Sequence, residues 1–443
     1  MILHYEFGSS AQAADAITLQ QRNQLTLQTR HRDWLAGQLP NRPENVLPAR
    51  RRRAGAKRIL MIEDRVPHEK LGSGYPRAGT ILKELAARAE VTFFPMAGDK
   101  EYWPAVRRVV PANVEVMIEG ARPSLASFLK ERRGQFDAIL ICRPHNMEAF
   151  LEAGGADPGL TVGAQIIYDA EAIFATREVQ RLACQGKPVP PAEADRLLRE
   201  EIALAGHASQ VIAVSPADQR LFQSHGFRTV RVLSHTFELD PTPTCFEDRP
   251  DILFVGAMHE DDSPNADSLR WFAREVLPSL RRKLREDLRL KVVGFNRVAS
   301  IQALDGDALD LVGPVEDLRP HFAAARFLVA PTRYAAGIPH KLGQAAALGV
   351  PIVATDLLAD QVGWVSGRDL LAATDAEAFA DACARLFTDR SLWDRLRRSA
   401  MERCREAWSH EAFQAAVSQI LESVGEQDEA PSRAPAEQRQ ALA

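Results

Sequence analysis

Residues 327–355 constrain the fold more than any other stretch. An apolar run at 327–330, a cationic loop containing Gly337, an Ala- and Leu-rich segment, and a second apolar run at 352–354 follow one another. Short apolar runs bounded by Pro and Gly are strands buried on both faces, and the Ala-rich segment between them has the composition of a helix. The stretch therefore predicts a strand, loop, helix, strand unit, with Pro339 in the first helical turn and Gly349 and Pro351 as its stop. The start of a helix leaves backbone NH groups without partners and carries the positive end of the helix dipole, and Arg333, His340 and Lys341 stand beside it here. The loop reads as a phosphate site.

The same alternation runs through the rest of the chain, which at 443 residues exceeds a single core. The run 58–63 is the first strand. It leads into Gly72, Ser73, Gly74 and Arg77, a glycine-rich loop whose backbone can approach a ligand closely, and then into a helix expected over 78–89. Strands are expected at 91–95, 114–118, 136–142, 166–169, 210–215 and 230–234. Ligands of open parallel sheets lie beyond the carboxyl ends of the strands, so Arg143 and His145, which follow the run 136–142, point to a cleft. Asp169 and Glu171 have two readings, contact with an acceptor hydroxyl or capping of the helix at 174–184. The Pro-rich segment 241–250 reads as a crossing into a second strand-helix series. That series opens with the run 251–255, Gly256 and His259, continues through strands at 290–294 and 309–313 and a helix from 315, and reaches the cationic loop. Helices at 375–386, 391–407 and 410–424 close it.

The stretch from Pro331 to Thr355 resembles the nucleotide-sugar signature of group 1 glycosyltransferases. Pro331, Gly337, Lys341, Ala345, Gly349, Val350, Pro351, Val353, Ala354 and Thr355 carry the resemblance, which extends over residues 58–424. It implies an α/β protein of the GT-B fold, two Rossmann-like doubly wound lobes facing across a cleft. The first lobe would span 57–240 and the nucleotide-sugar lobe 250–409, with a helix at 410–424 returning to the first lobe. It also implies transfer of a sugar from a nucleotide diphosphate donor, a substrate rather than a cofactor, to a glycan or lipid-linked acceptor, with retained anomeric configuration. On this reading Arg333 and Lys341 face the diphosphate, Gly337, Ile338, Pro339 and His340 the sugar-phosphate, and Gln344 the ribose. His145 would be the catalytic histidine, with the Gly72, Ser73, Gly74, Arg77 and Arg143 loops closing the cleft opposite Gly256 and His259.

The chain departs from the family in two places. The positions of the usual Glu-x7-Glu pair hold Ala336 and Gln344, and the arginine usual after Gly256 is replaced by Ala257, ahead of the acids Glu260, Asp261 and Asp262. Two further readings stay open: a GT-B protein that binds a nucleotide sugar or glycan without turnover, or serves as a partner subunit, and a GT-B relative with other chemistry such as epimerisation.

Composition narrows the setting. A formal charge of -4 with 26% charged residues argues against nucleic-acid binding. Cys142, Cys184, Cys245, Cys383 and Cys404 are scattered without metal-ligand spacing, which predicts reduced thiols in the cytoplasm and no metal site. No apolar span approaches the roughly 20 residues a bilayer needs. Residues 1–56 form an extension, with a helix expected over 11–36. The basic run Arg50, Arg51, Arg52, Arg53, Lys57 and Arg58 reads as a solvated linker or as a peripheral contact with anionic lipid at the inner membrane face. Residues 425–443 lack apolar periodicity and are expected to be disordered.

Overall fold

Strands that are apolar on both sides need helices above and below them, and two parallel sheets meet that need. The computed structural model describes residues 13–425 except 52, 54 and 69–73, and divides the chain into the units Met1–Ala56 and Lys57–Ala443. In the larger unit the first sheet is 7-stranded, in the order β3-β2-β1-β4-β5-β6-β7. Its strands are β1 (Arg58–Glu63), β2 (Glu90–Pro95), β3 (Glu115–Val116), β4 (Ala138–Cys142), β5 (Gln165–Asp169), β6 (Gln210–Ala213) and β7 (Val230–Val232). The second sheet is 6-stranded, in the order β10-β9-β8-β11-β12-β13. It consists of β8 (Asp251–Val255), β9 (Leu290–Val293), β10 (Leu309–Gly313), β11 (Ala325–Ala330), β12 (Ile352–Thr355) and β13 (Leu371–Ala373). Every pairing between these strands is parallel.

Side chains of β1 alternate between the two faces, as the two-residue period of a strand dictates. Ile59 and Met61 enter one core with Leu82, Leu85 and Phe93, while Leu60 and Ile62 enter the other with Phe128, Ile141 and Phe150. The second sheet repeats the device, with Ile252 and Phe254 on one face and Leu253 on the other. The helix His410–Glu422 inserts Phe413, Val417, Ile420 and Leu421 into the first of these cores. Lys57 Nζ donates to the carbonyls of Leu421 and Glu422 at its end, and the Arg58 guanidinium grips Asp137 at 2.5 Å. Both cations of the basic run that fall in this unit are thus engaged with the fold.

The crossing between lobes is held firmly. Arg249, wholly buried, donates to the carbonyls of Thr244, Phe322 and Ala325 and to Thr242 Oγ1, and Phe237 N bonds Trp408 O at 2.8 Å.

In several places the elements differ from the sequence expectation. The helix expected from 78 begins at Gly74, and that expected from 315 begins one turn later, as Arg319–Ala324 with Pro320 in its first turn. β3 shrinks to two residues at the sheet edge, where it has one neighbour. In the smaller unit the expected helix is divided into Ala13–Arg30 and Arg32–Ala36, with Leu19, Leu25, Leu27 and Trp34 exposed. Gly72, Ser73 and residues 426–443 lie outside the described residues, and among the described residues no helix is long and apolar enough to cross a membrane.

Each sheet reverses its strand order once, between β1 and β4 and between β8 and β11. The crevice beyond the carboxyl ends of the strands at such a reversal is where open α/β sheets bind ligands. The residues that follow β1, β4, β8 and β11 are Asp64, Arg143, Gly256 and Pro331, so both crevices coincide with candidate loops.

Candidate functional site

In the second lobe, the loop after β11 runs into the helix His340–Ala347. Pro339 occupies the cap position rather than the first turn, and no side chain caps the helix start. Gly337 has φ 71°, so the loop's turn favours glycine, and a Cβ there would make ordinary contact with that of Ala172 in the first lobe at 3.4 Å. Ile338 is buried in the core with Val214 and Phe237, which makes it an anchor of the loop. The His340 ring lies 4.7 Å from Phe237 and 5.5 Å from His235. Burial lowers the His340 pKa, and a hydrogen bond with Gln344 opposes that shift.

The two cations of the loop are held differently. Arg333 makes a two-point pair with Asp267, at 2.9 and 2.6 Å, which raises its pKa. Lys341 Nζ meets the amide oxygen of Asn265 at 2.8 Å and lies 4.1 Å from the centre of the Phe254 ring. Although Lys341 keeps some exposed surface, its ammonium lies deep enough that burial alone pushes its pKa down to about 7. A pocket of about 210 Å³ opens at the ends of β8 and β9, lined by Val255, Gly256, Ala257, Val293, Gly294 and Val315 among others, and its Gly256 lies against Asn265, the partner of Lys341. Two of the three neighbouring acids are paired away from it. Asp261 accepts from Arg270 and Ser300, Asp262 pairs with Arg181 of the first lobe at 3.3 Å, and the exposed His259 stacks on Phe295.

The first-lobe crevice is a dense charge network. Arg143 Nε reaches Glu63 at 2.6 Å, Glu171 at 3.1 Å and Asp64 at 3.3 Å, and its guanidinium covers the Tyr75 ring at 4.6 Å. His145 bonds Asp64 through Nε2, and Asn146 donates to the same carboxylate at 3.0 Å. Burial lifts Glu63 to about 8 against the opposing charge of Arg143. Burial also lifts Glu171, with Arg143 and Arg77 opposing. Asp64 falls below its usual value because the bonds from His145 and Asn146 and the charge of Arg143 outweigh its burial. The Asp64 bond in turn raises His145. Two residues of this network, Arg143 at φ 78° and Glu171 at φ 54°, adopt left-handed backbone that side chains rarely tolerate, and such strain collects at functional positions. Gly74 makes room for the arrangement, since a Cβ there would fall 1.8 Å from Glu171 Oε1.

Some sequence expectations are corrected. Arg77 does not project into the cleft: it is buried against Asp169 at 2.7 and 3.0 Å and donates to Leu233 O. Asp169 and Glu171 do not cap the helix Phe174–Cys184, whose first NH groups bond Glu201 from the helix Pro191–Ala203. Residues not anticipated as partners are Glu63, Asp64, Asn265 and Asp267. Only Glu63 left a signal, a carboxylate closing a run otherwise apolar on both faces. Among the described residues no group of His, Cys, Asp and Glu is arranged to hold a metal.

Residues 249–389 match the family model described as "Glycosyl transferases group 1". No curated protein sequence matches the chain. Among solved structures, sucrose-phosphate synthase from Thermosynechococcus elongatus superposes with a TM-score of 0.60 at 17% identity, covering 83% of this chain and 98% of its own. Anabaena HepE in complex with UDP gives a TM-score of 0.60 at 16% identity, covering 83% and 100%. The apo form of the lipopolysaccharide outer core galactosyltransferase WaaB gives 0.55 at 12% identity, covering 83% and 99%. The fold is GT-B.

Proposed function

From the GT-B fold and the group 1 glycosyl transferase match in the second lobe, we propose that the chain is a glycosyltransferase that carries a sugar from a nucleoside diphosphate to an acceptor hydroxyl. The observation that supports this most directly is the uncapped start of the helix His340–Ala347, with Lys341 in its first turn and a 210 Å³ pocket whose Gly256 lies against Asn265, the lysine's partner. The pocket suits a flat base, and the helix start and ammonium suit the diphosphate leaving group, whose developing charge is what such a reaction must stabilise. HepE has been solved with UDP and with UDP-glucose, so UDP sugars are the first donors to test.

The acceptor, a glycan or lipid-linked saccharide, would enter from the first lobe. There Asp64 holds His145 in one orientation at the crevice mouth, and a histidine half in solvent is suited to bond an acceptor hydroxyl. The family resemblance points to retention of configuration. Thermal unfolding with UDP-, GDP- and ADP-sugars, followed by assay of donor hydrolysis and transfer, tests the reading. We expect a raised Tm with one nucleotide class and slow hydrolysis of that donor without acceptor. No stabilisation by any of them overturns the donor assignment, and binding without hydrolysis or transfer overturns the catalytic one.

A further inference from the structure

We infer that Asn265 is a positioning residue which holds Lys341 through an uncharged oxygen, leaving the donor's diphosphate as the ammonium's counter-charge. This rests on the donor reading above and adds a residue to it.

The start of the helix Pro264–Trp271, capped by Ser263 Oγ, serves both cations of the loop. Asp267 gives Arg333 a carboxylate, and Asn265 gives Lys341 an amide. The amide's direction is fixed. Its nitrogen donates to Ala257 O at 2.9 Å, which turns its oxygen toward Lys341. Gly256 admits this geometry, because a Cβ there would stand 2.7 Å from the amide nitrogen. The charged and titratable groups around Lys341 do not compensate it: Asp267 and Arg333 satisfy each other, burial favours neutral His340, and burial is the one cause of the lysine's own shift. A buried cation without an opposite charge is costly, and the cost is recovered when an anion arrives. A carboxylate at 265 would supply that charge in advance and repel the diphosphate.

The experiment is calorimetric titration of the full-length protein with UDP at pH 8, in buffers of different ionisation enthalpy. The wild type is expected to take up protons on binding, because Lys341 is largely neutral when free and becomes charged beside the diphosphate. Asn265→Asp is expected to bind about tenfold or more weakly and to lose the proton uptake. Gly256→Ala, which displaces the amide without adding charge, is expected to weaken UDP while keeping the uptake, and it serves if the Asp variant fails to fold. An Asp variant that binds UDP like the wild type with the same uptake overturns the role of Asn265. Wild type that does not bind UDP, or any other nucleoside diphosphate, overturns the donor reading and the inference together.

Discussion

The two crevices stand at the same topological position of their sheets and solve opposite electrostatic problems. In the first-lobe crevice Arg143 is met by the carboxylates of Glu63, Asp64 and Glu171 and His145 by that of Asp64, and the buried Arg77 is met by Asp169. In the second lobe Arg333 is neutralised and Lys341 is not. A crevice whose charges cancel internally is built to hold its own shape and to offer acceptors to hydroxyl groups. One that keeps a cation uncompensated is built to receive an anion.

The largest effect should come from breaking the closed network. Arg77 and Asp169 are almost fully buried, so Arg77→Met strands a carboxylate and should cost about 3–5 kcal/mol of stability. Denaturant unfolding should show that loss. UDP binding by the folded fraction should change little, because the substitution leaves the second lobe intact. An Arg77→Met protein with unaltered stability would mean that the pair is not the strut its burial implies.

The next pair of substitutions tests the contrast through pH. Lys341 has a folded pKa of about 7, below its unfolded value, so the unfolded chain binds more protons between there and about 10.5 and stability should rise with pH across that window. Glu63 is the reverse. Its folded pKa of about 8 lies above the ordinary 4.5 of a glutamate, so the folded chain holds the extra proton and stability should fall as pH rises from 4.5 to 8. Lys341→Met should flatten the first slope and raise Tm most below pH 7, while costing UDP binding about 1.5–3 kcal/mol, the worth of hydrogen bonds to a charged group. Glu63→Gln should be within about 1 kcal/mol of the wild type at pH 6, where Glu63 is already neutral, and more stable than it at pH 9. Parallel melting curves for both variants and the wild type would erase the distinction between the crevices.

Local signals made the fold legible. The run Ile59, Leu60, Met61, Ile62 could only be a strand buried on both faces, and the segment 327–355 could only close as strand, loop, helix, strand. Stops were read nearly as well, since the helix His340–Ala347 does end just before Gly349 and Pro351. The site was less legible because its chemistry is assembled across long separations. Arg77 meets Asp169, and Lys341 meets Asn265, through strand order that residue types do not encode. Glu201 took over the capping of the helix Phe174–Cys184 from a neighbouring helix, and so Asp169 and Glu171 were released for ion pairs with the arginines.

The smallest expected effect is at Gln344, one turn into the helix whose start is the proposed site of the diphosphate. Its amide bonds His340, so it has a structural task besides the proposed contact with the donor ribose. A carboxylate is a stronger acceptor than an amide by roughly a factor of two. If the ribose hydroxyls bond residue 344, Gln344→Glu should tighten UDP by on the order of 1 kcal/mol, the difference between charge-assisted and neutral hydrogen bonds. Two effects oppose the gain: repulsion from the diphosphate, and attraction of the new carboxylate to His340, whose proton affinity it would raise. Sign therefore carries the information. Tighter binding by calorimetry places the ribose at residue 344 and makes the second crevice tolerant of one added negative charge. Equal or weaker binding, with the His340 pKa raised in an NMR titration, assigns Gln344 to holding the ring. The uncompensated charge on Lys341 would then be the main determinant of donor affinity in that crevice.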